Sequence, residues 1–299
     1  MSESYVVEVK NLNKTYGKNK VLNDVSFNVK PNEIVGFIGP NGAGKSTTMK
    51  CICNLIFPDS GEVIINGYDL FKDREKALQS QGALIEGPGL YPDMTGKENI
   101  ELIAKLKNIS KDRVKEICEF TELREALKRK VSGYSMGMKQ RLGLGIAILS
   151  KPKFLILDEP NSGLDPTGTI HLRNTLQKLK EENISILFSS HQLGEVEKLA
   201  DRIVCISKGK IIETPKEMTN KYIYIVQVDN SEKAYEVLGD KLQKDKLEKI
   251  SSDAIKFELE NQDYLTEILK RLIDSGVTIL DIYKDSIDVE SIYREVYGE

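Results

Sequence analysis

The chain has 299 residues, of which 40% are hydrophobic and 30% are charged, a composition typical of a folded protein rather than a disordered one. Its 43 basic and 46 acidic residues leave a net charge of −3, which provides no global attraction to nucleic acid or to an anionic membrane. We therefore expect no nucleic-acid partner.

No apolar stretch approaches the roughly 20 residues that a membrane-spanning helix needs. The first residues, MSESYVVEVK, contain no hydrophobic signal core. We expect a soluble, cytoplasmic protein that reaches a membrane only through a partner. Because the cysteines form neither a zinc-ligand set nor a CxxC pair, reduced thiols are expected at Cys51, Cys53, Cys118 and Cys205.

Short β-branched runs alternate with helical stretches along the first half of the chain, which predicts an α/β fold with a mostly parallel central sheet. The predicted strands lie near Val6, at the VSFNV run that ends at Val29, and over residues 33–38, 62–65, 83–85, 153–157, 185–189 and 202–206. The FLIL run within 153–157 is apolar without alternation, which is typical of a strand covered by helices on both faces.

Two further regions differ from this alternation. Residues 95–149 are predicted to be almost entirely helical, as a subdomain inserted into the sheet. After Pro215 the runs follow the order βαββαβ, with a last helix over VESIYREVYG, which predicts a small α+β, ferredoxin-like module. The predicted domains are residues 1–215 and 216–299.

The segment GPNGAGKST follows a predicted strand, precedes a predicted helix and matches the phosphate-binding pattern G-x-x-x-x-G-K-[ST]. Its glycines let backbone N–H groups turn toward phosphate oxygens, and the helix start adds a positive dipole end. Lys45 is placed to bridge the β- and γ-phosphates of ATP, and the Ser46 hydroxyl to bind Mg²⁺. The predicted phosphate-binding residues are Gly39, Pro40, Asn41, Gly42, Ala43, Gly44, Lys45, Ser46 and Thr47.

The run FLILDEP delivers two carboxylates at the carboxyl end of a buried strand, where ligand sites collect in parallel sheets. Asp158 is placed to hold Mg²⁺, and Glu159 to polarise the attacking water. On a surface loop such a pair would be solvated charge, and the apolar strand before it favours the catalytic interpretation.

The segment YSMGMKQRLGLGIAIL resembles the signature motif of ABC ATPases, which reads approximately Leu-Ser-Gly-Gly-Gln, together with the helix that follows it. Ser135 and Gly137 match the serine and a glycine of that motif. A serine hydroxyl and glycine N–H groups at a helix start form a second anion site. Taken alone, SMGMK is also compatible with a simple helix cap.

The resemblance to ABC ATPases extends over approximately residues 4–215 and assigns further roles. Asp165, in NSGLDP, matches the D-loop, and His191, in SSH, matches the switch histidine that senses the γ-phosphate. Tyr16 lies where the family places an aromatic ring that stacks on adenine. His171, the other histidine, is expected to lie inert on a helix surface.

One position departs from the family pattern. GALIEGPGLYPDMT places Glu86 where the family usually has a glutamine that contacts Mg²⁺ and the attacking water. A carboxylate also binds Mg²⁺, but it adds negative charge beside the phosphates. Glu86 and YSMGMKQRLG together resemble the subfamily that exports bacitracin and lantibiotics and protects cells from them.

The resemblance implies a homodimer that closes head to tail around two ATP molecules and drives a separate membrane-spanning permease at the inner face of the cell membrane. Two other classes stay open. A soluble mechanical ABC-type ATPase is disfavoured by the mild acidity and by the lack of a coiled-coil insertion or a tandem cassette. A nucleotide sensor without catalysis is disfavoured by the intact set of Lys45, Asp158, Glu159 and His191.

Overall fold

The computed structural model describes residues 5–212, 222–239, 241–242, 246–259 and 264–285. The chain divides into two compact units near residue 213. The predicted boundary near Pro215 and the predicted helix over residues 289–298 lie outside the described residues.

The described residues of the first unit form two sheets. Four antiparallel strands form one sheet in the order β2-β1-β4-β5, and six strands form the other in the order β10-β9-β3-β8-β7-β6. In the six-stranded sheet, five strands run parallel and only β10 is antiparallel. The strand bounds are β1 Val7–Tyr16, β2 Asn19–Val29, β3 Ile34–Ile38, β4 Ser60–Ile65, β5 Tyr68–Asp69, β6 Gln81–Leu84, β7 Phe154–Leu157, β8 Ser185–Ser189, β9 Arg202–Ser207 and β10 Lys210–Ile212.

Helices flank these sheets and fill the connection between β6 and β7. In that connection, a capping box between Thr95 and Glu98 starts α3, and Ser135 caps α5. The helices are α1 Lys45–Ile52, α2 Arg74–Gln79, α3 Gly96–Leu106, α4 Lys111–Phe120, α5 Met136–Ala147, α6 Pro166–Glu181 and α7 Leu193–Leu199, with short 3-10 turns at Arg124–Lys128 and Val131–Gly133.

The centre of the six-stranded sheet is buried on both faces. Every residue of β3, β7 and β8 is buried, which explains why their sequences are apolar without alternation. Phe37, Phe154 and Phe188 are among the largest fully buried side chains. The predicted mostly parallel α/β fold is therefore confirmed.

All four cysteines are free, and burial raises the pKa of Cys51 to about 11.

The described residues of the second unit form a four-stranded antiparallel sheet with two helices. Its strands have the order β12-β13-β11-β14, and its core includes Val226, Leu238, Phe257 and Leu272. The elements are β11 Tyr222–Val228, α8 Ser231–Gly239, β12 Leu247–Lys249, β13 Ala254–Leu259, α9 Tyr264–Asp274 and β14 Ile279–Asp285. This is the βαββαβ order that the sequence predicts. Within the described ranges, no helix has both the length and the apolar character that crossing a membrane requires.

Substitution of Gly82 tests how β6 packs on the end of α5. A Cβ atom on Gly82 would lie 2.3 Å from the backbone oxygen of Ala147, so Gly82→Ala must displace backbone. We expect the free energy of unfolding to fall by about 1–3 kcal/mol, measured by urea denaturation. Gly194→Ala is the control, because a Cβ atom there meets no neighbour within 4 Å and alanine favours the helix. Equal stabilities of the two variants would contradict this packing.

Candidate active site

The predicted site residues follow three neighbouring strands of the parallel sheet. In the order β3-β8-β7, the glycine-rich loop follows β3, His191 follows β8, and the Asp158–Glu159 pair follows β7. Parallel strands present their carboxyl ends at one edge of the sheet, so these groups share that edge.

The loop between β3 and α1 has the geometry of a phosphate cradle. Gly44 has a φ of 112°, and Gly42 a φ of 79°, in the left-handed region that favours glycine. A Cβ atom on Gly39 would lie 2.3 Å from the Ile206 oxygen, whereas one on Gly42 would meet nothing within 4 Å. Gly39 is thus closely packed against β9, whereas the space beside Gly42 is open to a ligand. The N-terminus of α1 supplies partial positive charge for phosphate oxygens.

Lys45 places a cation at the base of this loop. Its side chain is 7% exposed, and its Nζ donates to the backbone oxygens of Gly39 at 2.5 Å and Pro40 at 3.3 Å. Burial lowers the pKa of Lys45, while the negative charges of Glu159 and Asp158 act in the opposite direction. The glycine loop and the two carboxylates therefore lie close enough to act on one ligand.

Ser189 links the two carboxylate residues. Its hydroxyl donates to Oδ1 of Asp158 at 2.7 Å and accepts from the backbone N–H of Glu159 at 2.8 Å. Glu159 has a φ of 49°, so the chain turns sharply directly after Asp158. Ser189 is not among the residues predicted from the sequence to form the site. Parallel pairing of Leu157 with Phe188 places Ser189 beside Asp158, so strand register was the signal that could have identified it.

His191 and Glu159 are brought together as a pair. Nδ1 of His191 lies 2.7 Å from Oε2 of Glu159, and the His191 backbone N–H donates to the same oxygen at 3.3 Å. These two contacts orient the Glu159 carboxylate at the carboxyl end of β7. A carboxylate held in this way can accept a proton from a water molecule.

The donor chemistry of the site fits Mg²⁺. The Ser46 hydroxyl and the Asp158 carboxylate are oxygen donors, which this hard cation prefers. Asp158 is 6% exposed and uses Oδ1 for Ser189, which leaves Oδ2 without a hydrogen-bond partner within the described part of the chain. Bound at this position, Mg²⁺ would neutralise charge on the phosphates.

Glu86 lies two residues beyond β6 with a φ of 56°, and its side chain is 65% exposed. Its carboxylate accepts a hydrogen bond from Lys50 of α1. Within the described ranges, this is its one polar partner, and the structure shows no bond from Glu86 to Asp158 or Glu159. The catalytic and metal-binding roles of Glu86 stay predictions.

The predicted signature and D-loop residues lie at two exposed helix starts. Ser135 accepts a hydrogen bond from the Met138 N–H at 3.3 Å as the N-cap of α5, which confirms the helix-cap interpretation, while its role as a signature residue stays a prediction. Asp165 accepts from the Gly168 N–H at 2.7 Å as the N-cap of α6. A Cβ atom on Gly137 would lie 3.6 Å from Leu164, so the two helix starts are neighbours.

These helix starts make no hydrogen bond to the glycine loop within the described residues, and the predicted roles of Ser135, Gly137 and Asp165 toward ATP stay predictions. Tyr16 ends β1, is 46% exposed, and lies with its ring centroid 5.4 Å from the Lys14 Nζ. The stacking of the Tyr16 ring on adenine stays a prediction. His171 lies on α6, as expected, with Nε2 2.9 Å from a Glu122 oxygen.

A glycine loop, a buried lysine and a pair of carboxylates at one sheet edge are typical of a P-loop ATPase. The model of the ABC transporter family matches residues 22–162. The bacitracin transport ATP-binding protein BcrA of Bacillus licheniformis is 34% identical over 99% of this chain and 98% of its own length. The lantibiotic transport ATP-binding protein SrtF of Streptococcus pyogenes is 40% identical over 69% of this chain and 89% of its own length.

Comparison with solved structures indicates the same family. A dimeric ATP-binding cassette in a post-hydrolysis state, bound to ADP and Pi, has a TM-score of 0.64 and 28% identity, covering 69% of this chain and 97% of that one. The chain belongs to the ABC transporter family, as an ATP-binding subunit with ATPase activity.

Removal of the Ser189 hydroxyl tests whether this residue positions the carboxylates. We expect Ser189→Ala to lower kcat by about 10- to 100-fold, because small misplacements of catalytic groups have effects of this order. ATP affinity should change little, since Lys45 and the loop stay in place. Steady-state ATPase assays and equilibrium nucleotide binding would measure both quantities.

Ser190→Ala is the matched control, because Ser190 is also buried but, among the residues that the structure describes, its hydroxyl accepts a hydrogen bond only from the Gln192 N–H, at 3.0 Å. If the two variants had equal kcat values and comparable stabilities, measured as urea midpoints, Ser189 would not be the residue that positions the carboxylates.

Proposed function

We propose that this ATPase energises an exporter that removes antimicrobial peptides, closing as a head-to-tail homodimer around two Mg²⁺-ATP and driving a separate permease. The convergence of Lys45, Asp158, Glu159 and His191 at one sheet edge is the observation that carries the catalytic part. The export part is supported by similarity to BcrA over 99% of the chain, including the second unit, and by Glu86 in place of glutamine.

The chain's own residues divide the work of hydrolysis. Lys45 and the loop N–H groups bind and orient the phosphates. Glu159, oriented by His191, accepts a proton from the attacking water as the water oxygen bonds to the γ-phosphorus; the bond from that phosphorus to the β–γ bridging oxygen breaks, and ADP leaves. Ser46 and Asp158 would hold Mg²⁺. Ser189 fixes Asp158 and the turn at Glu159 relative to each other.

The placement of the signature residues supports a homodimer. Ser135 is exposed at the start of α5, and Gly137 follows it two residues later; within the described residues, neither forms a hydrogen bond to the glycine loop of its own subunit. A two-fold interface between identical chains supplies both sites from one sequence. ATP bound between the copies stabilises the closed state by its higher affinity for that state.

A groove between the segment after Glu86 and the inserted helices suits a permease contact. It encloses about 420 Å³ and is lined in part by Leu55, Pro88, Tyr91 and Ile103. Leu55 is 65% exposed and Tyr91 is 52% exposed, which leaves apolar surface for a partner. Because the groove adjoins Glu86, closure of the ATP site can alter the permease contact. We place the protein at the inner face of the cell membrane through that contact.

Substitution of Glu159 tests the catalytic assignment. Glu159→Gln should lower turnover by about 10²- to 10⁴-fold, the usual contribution of a general base, while ATP still binds. Lys45→Ala is the complementary variant and should lose ATP affinity itself. ATPase rates together with equilibrium binding would separate the two effects. Unchanged hydrolysis by Glu159→Gln would contradict the assignment.

The same substitution tests the export assignment in the source bacterium. A strain that carries only Glu159→Gln should become more sensitive to bacitracin or to a lantibiotic, while a Gly194→Ala strain keeps normal resistance. If the Glu159→Gln strain kept wild-type resistance to every such peptide although the purified variant had lost ATPase activity, the ATPase assignment would stand but peptide export would be excluded.

A further inference from the structure

The site carries one negative charge more than the family pattern requires. Asp158 and Glu159 already supply two carboxylates at the edge of the sheet where ATP phosphates would bind, and Glu86, in its predicted role, would supply a third in place of a neutral glutamine. Like charges repel at short range, and the repulsion is strongest when no Mg²⁺ offsets it. A local cation for Glu86 would reduce this cost.

Lys50 is positioned to be that cation. It lies in the last turn of α1, the helix that Lys45 begins, and its side chain is 23% exposed. Its Nζ donates to Oε1 of Glu86. Within the described residues, each of these two side chains has the other as its one polar partner. The pair therefore connects the helix of the phosphate loop to the segment that carries Glu86.

The segment itself has few contacts that would fix Glu86. Glu86 and Gly87 are consecutive residues with positive φ, 56° and 99°. A Cβ atom on Gly87 or on Gly89 would meet nothing within 4 Å, so no neighbouring atom packs closely against these positions. The Lys50 contact is thus the polar anchor of the Glu86 side chain, and α1 provides a rigid base for it.

We propose that Lys50 is a positioning residue that holds and neutralises Glu86, and thereby sets how strongly ATP binding depends on Mg²⁺. This inference rests on the proposed role of Glu86 in the ATP site. An ion pair exposed to this extent is weak, so Lys50 can release Glu86 when the carboxylate turns toward Mg²⁺. Without Lys50, the carboxylate repels Mg²⁺-free ATP and is always available to the cation.

The test is a double-mutant cycle on nucleotide affinity. The probe is a fluorescent, non-hydrolysable ATP analogue, bound to the purified full chain in EDTA and in saturating Mg²⁺. Lys50→Met should raise the ratio of the two dissociation constants, EDTA over Mg²⁺, by about two- to fivefold. Lys50→Arg, which keeps the charge, should restore the wild-type ratio.

The second arm of the cycle repeats Lys50→Met in a Glu86→Gln background, where the ratio should not change further. Lys178→Met, an exposed lysine on α6, controls for loss of one positive charge and should leave the ratio at the wild-type value. Urea midpoints of all variants establish that each is folded.

The outcomes separate this inference from the proposed function. An unchanged ratio in Lys50→Met, or an equal rise in the Glu86→Gln background, would overturn the positioning role, the latter by showing that Lys50 acts directly on the nucleotide. Failure of the wild-type chain to bind the analogue in Mg²⁺ would instead remove the ATP site itself.

Discussion

The parallel alignment of β3, β8 and β7 is the constraint on which the site depends. Because the site residues directly follow these strands, the alignment brings the Lys45 ammonium, the Asp158 and Glu159 carboxylates and the His191 imidazole to one edge of the sheet. Burial alone lowers the pKa of Lys45, and the charges of Glu159 and Asp158 act against that effect. The buried Lys45 ammonium and the buried Asp158 carboxylate are thus each less costly to bury because the other is present. Ser189 completes the arrangement by hydrogen bonds to both carboxylate residues.

The predicted ATP site consists of two parts, the glycine loop and the signature and D-loop residues, which form no hydrogen bond to each other within the described residues. The glycine loop faces an open space, while Ser135 and Asp165 cap two exposed helices that do not bond to it within the described residues. A helix cap and an anion site use the same exposed N–H groups, so the two interpretations of Ser135 are compatible. Closure by a second copy would unite the two parts, and Glu86 lies on the segment that borders the groove proposed for the permease.

Local patterns predicted much of this fold. The FLIL and SILFS strands were evident because burial on both faces demands continuous apolar residues. The glycine loop was evident because backbone approach to phosphate demands glycines at fixed spacing. The roles of Ser189 and Lys50 depend instead on strand register and on contacts between α1 and a distant loop. No spacing along the chain encodes such contacts. For the same reason, sequence suggested the catalytic order but not the hydrogen bonds that support it.

The mass of the Glu159→Gln chain in solution, measured by sedimentation with and without Mg²⁺-ATP, tests the shared site most directly. Slow hydrolysis should trap the closed state, so the chain should be a monomer without nucleotide and a dimer with it. Adding Ser135→Arg should preserve ATP binding but prevent the dimer, because the arginine side chain would occupy the space of the γ-phosphate. A chain that stays monomeric at saturating ATP, or that dimerises equally well with Ser135→Arg, would contradict closure of the ATP site by a second copy.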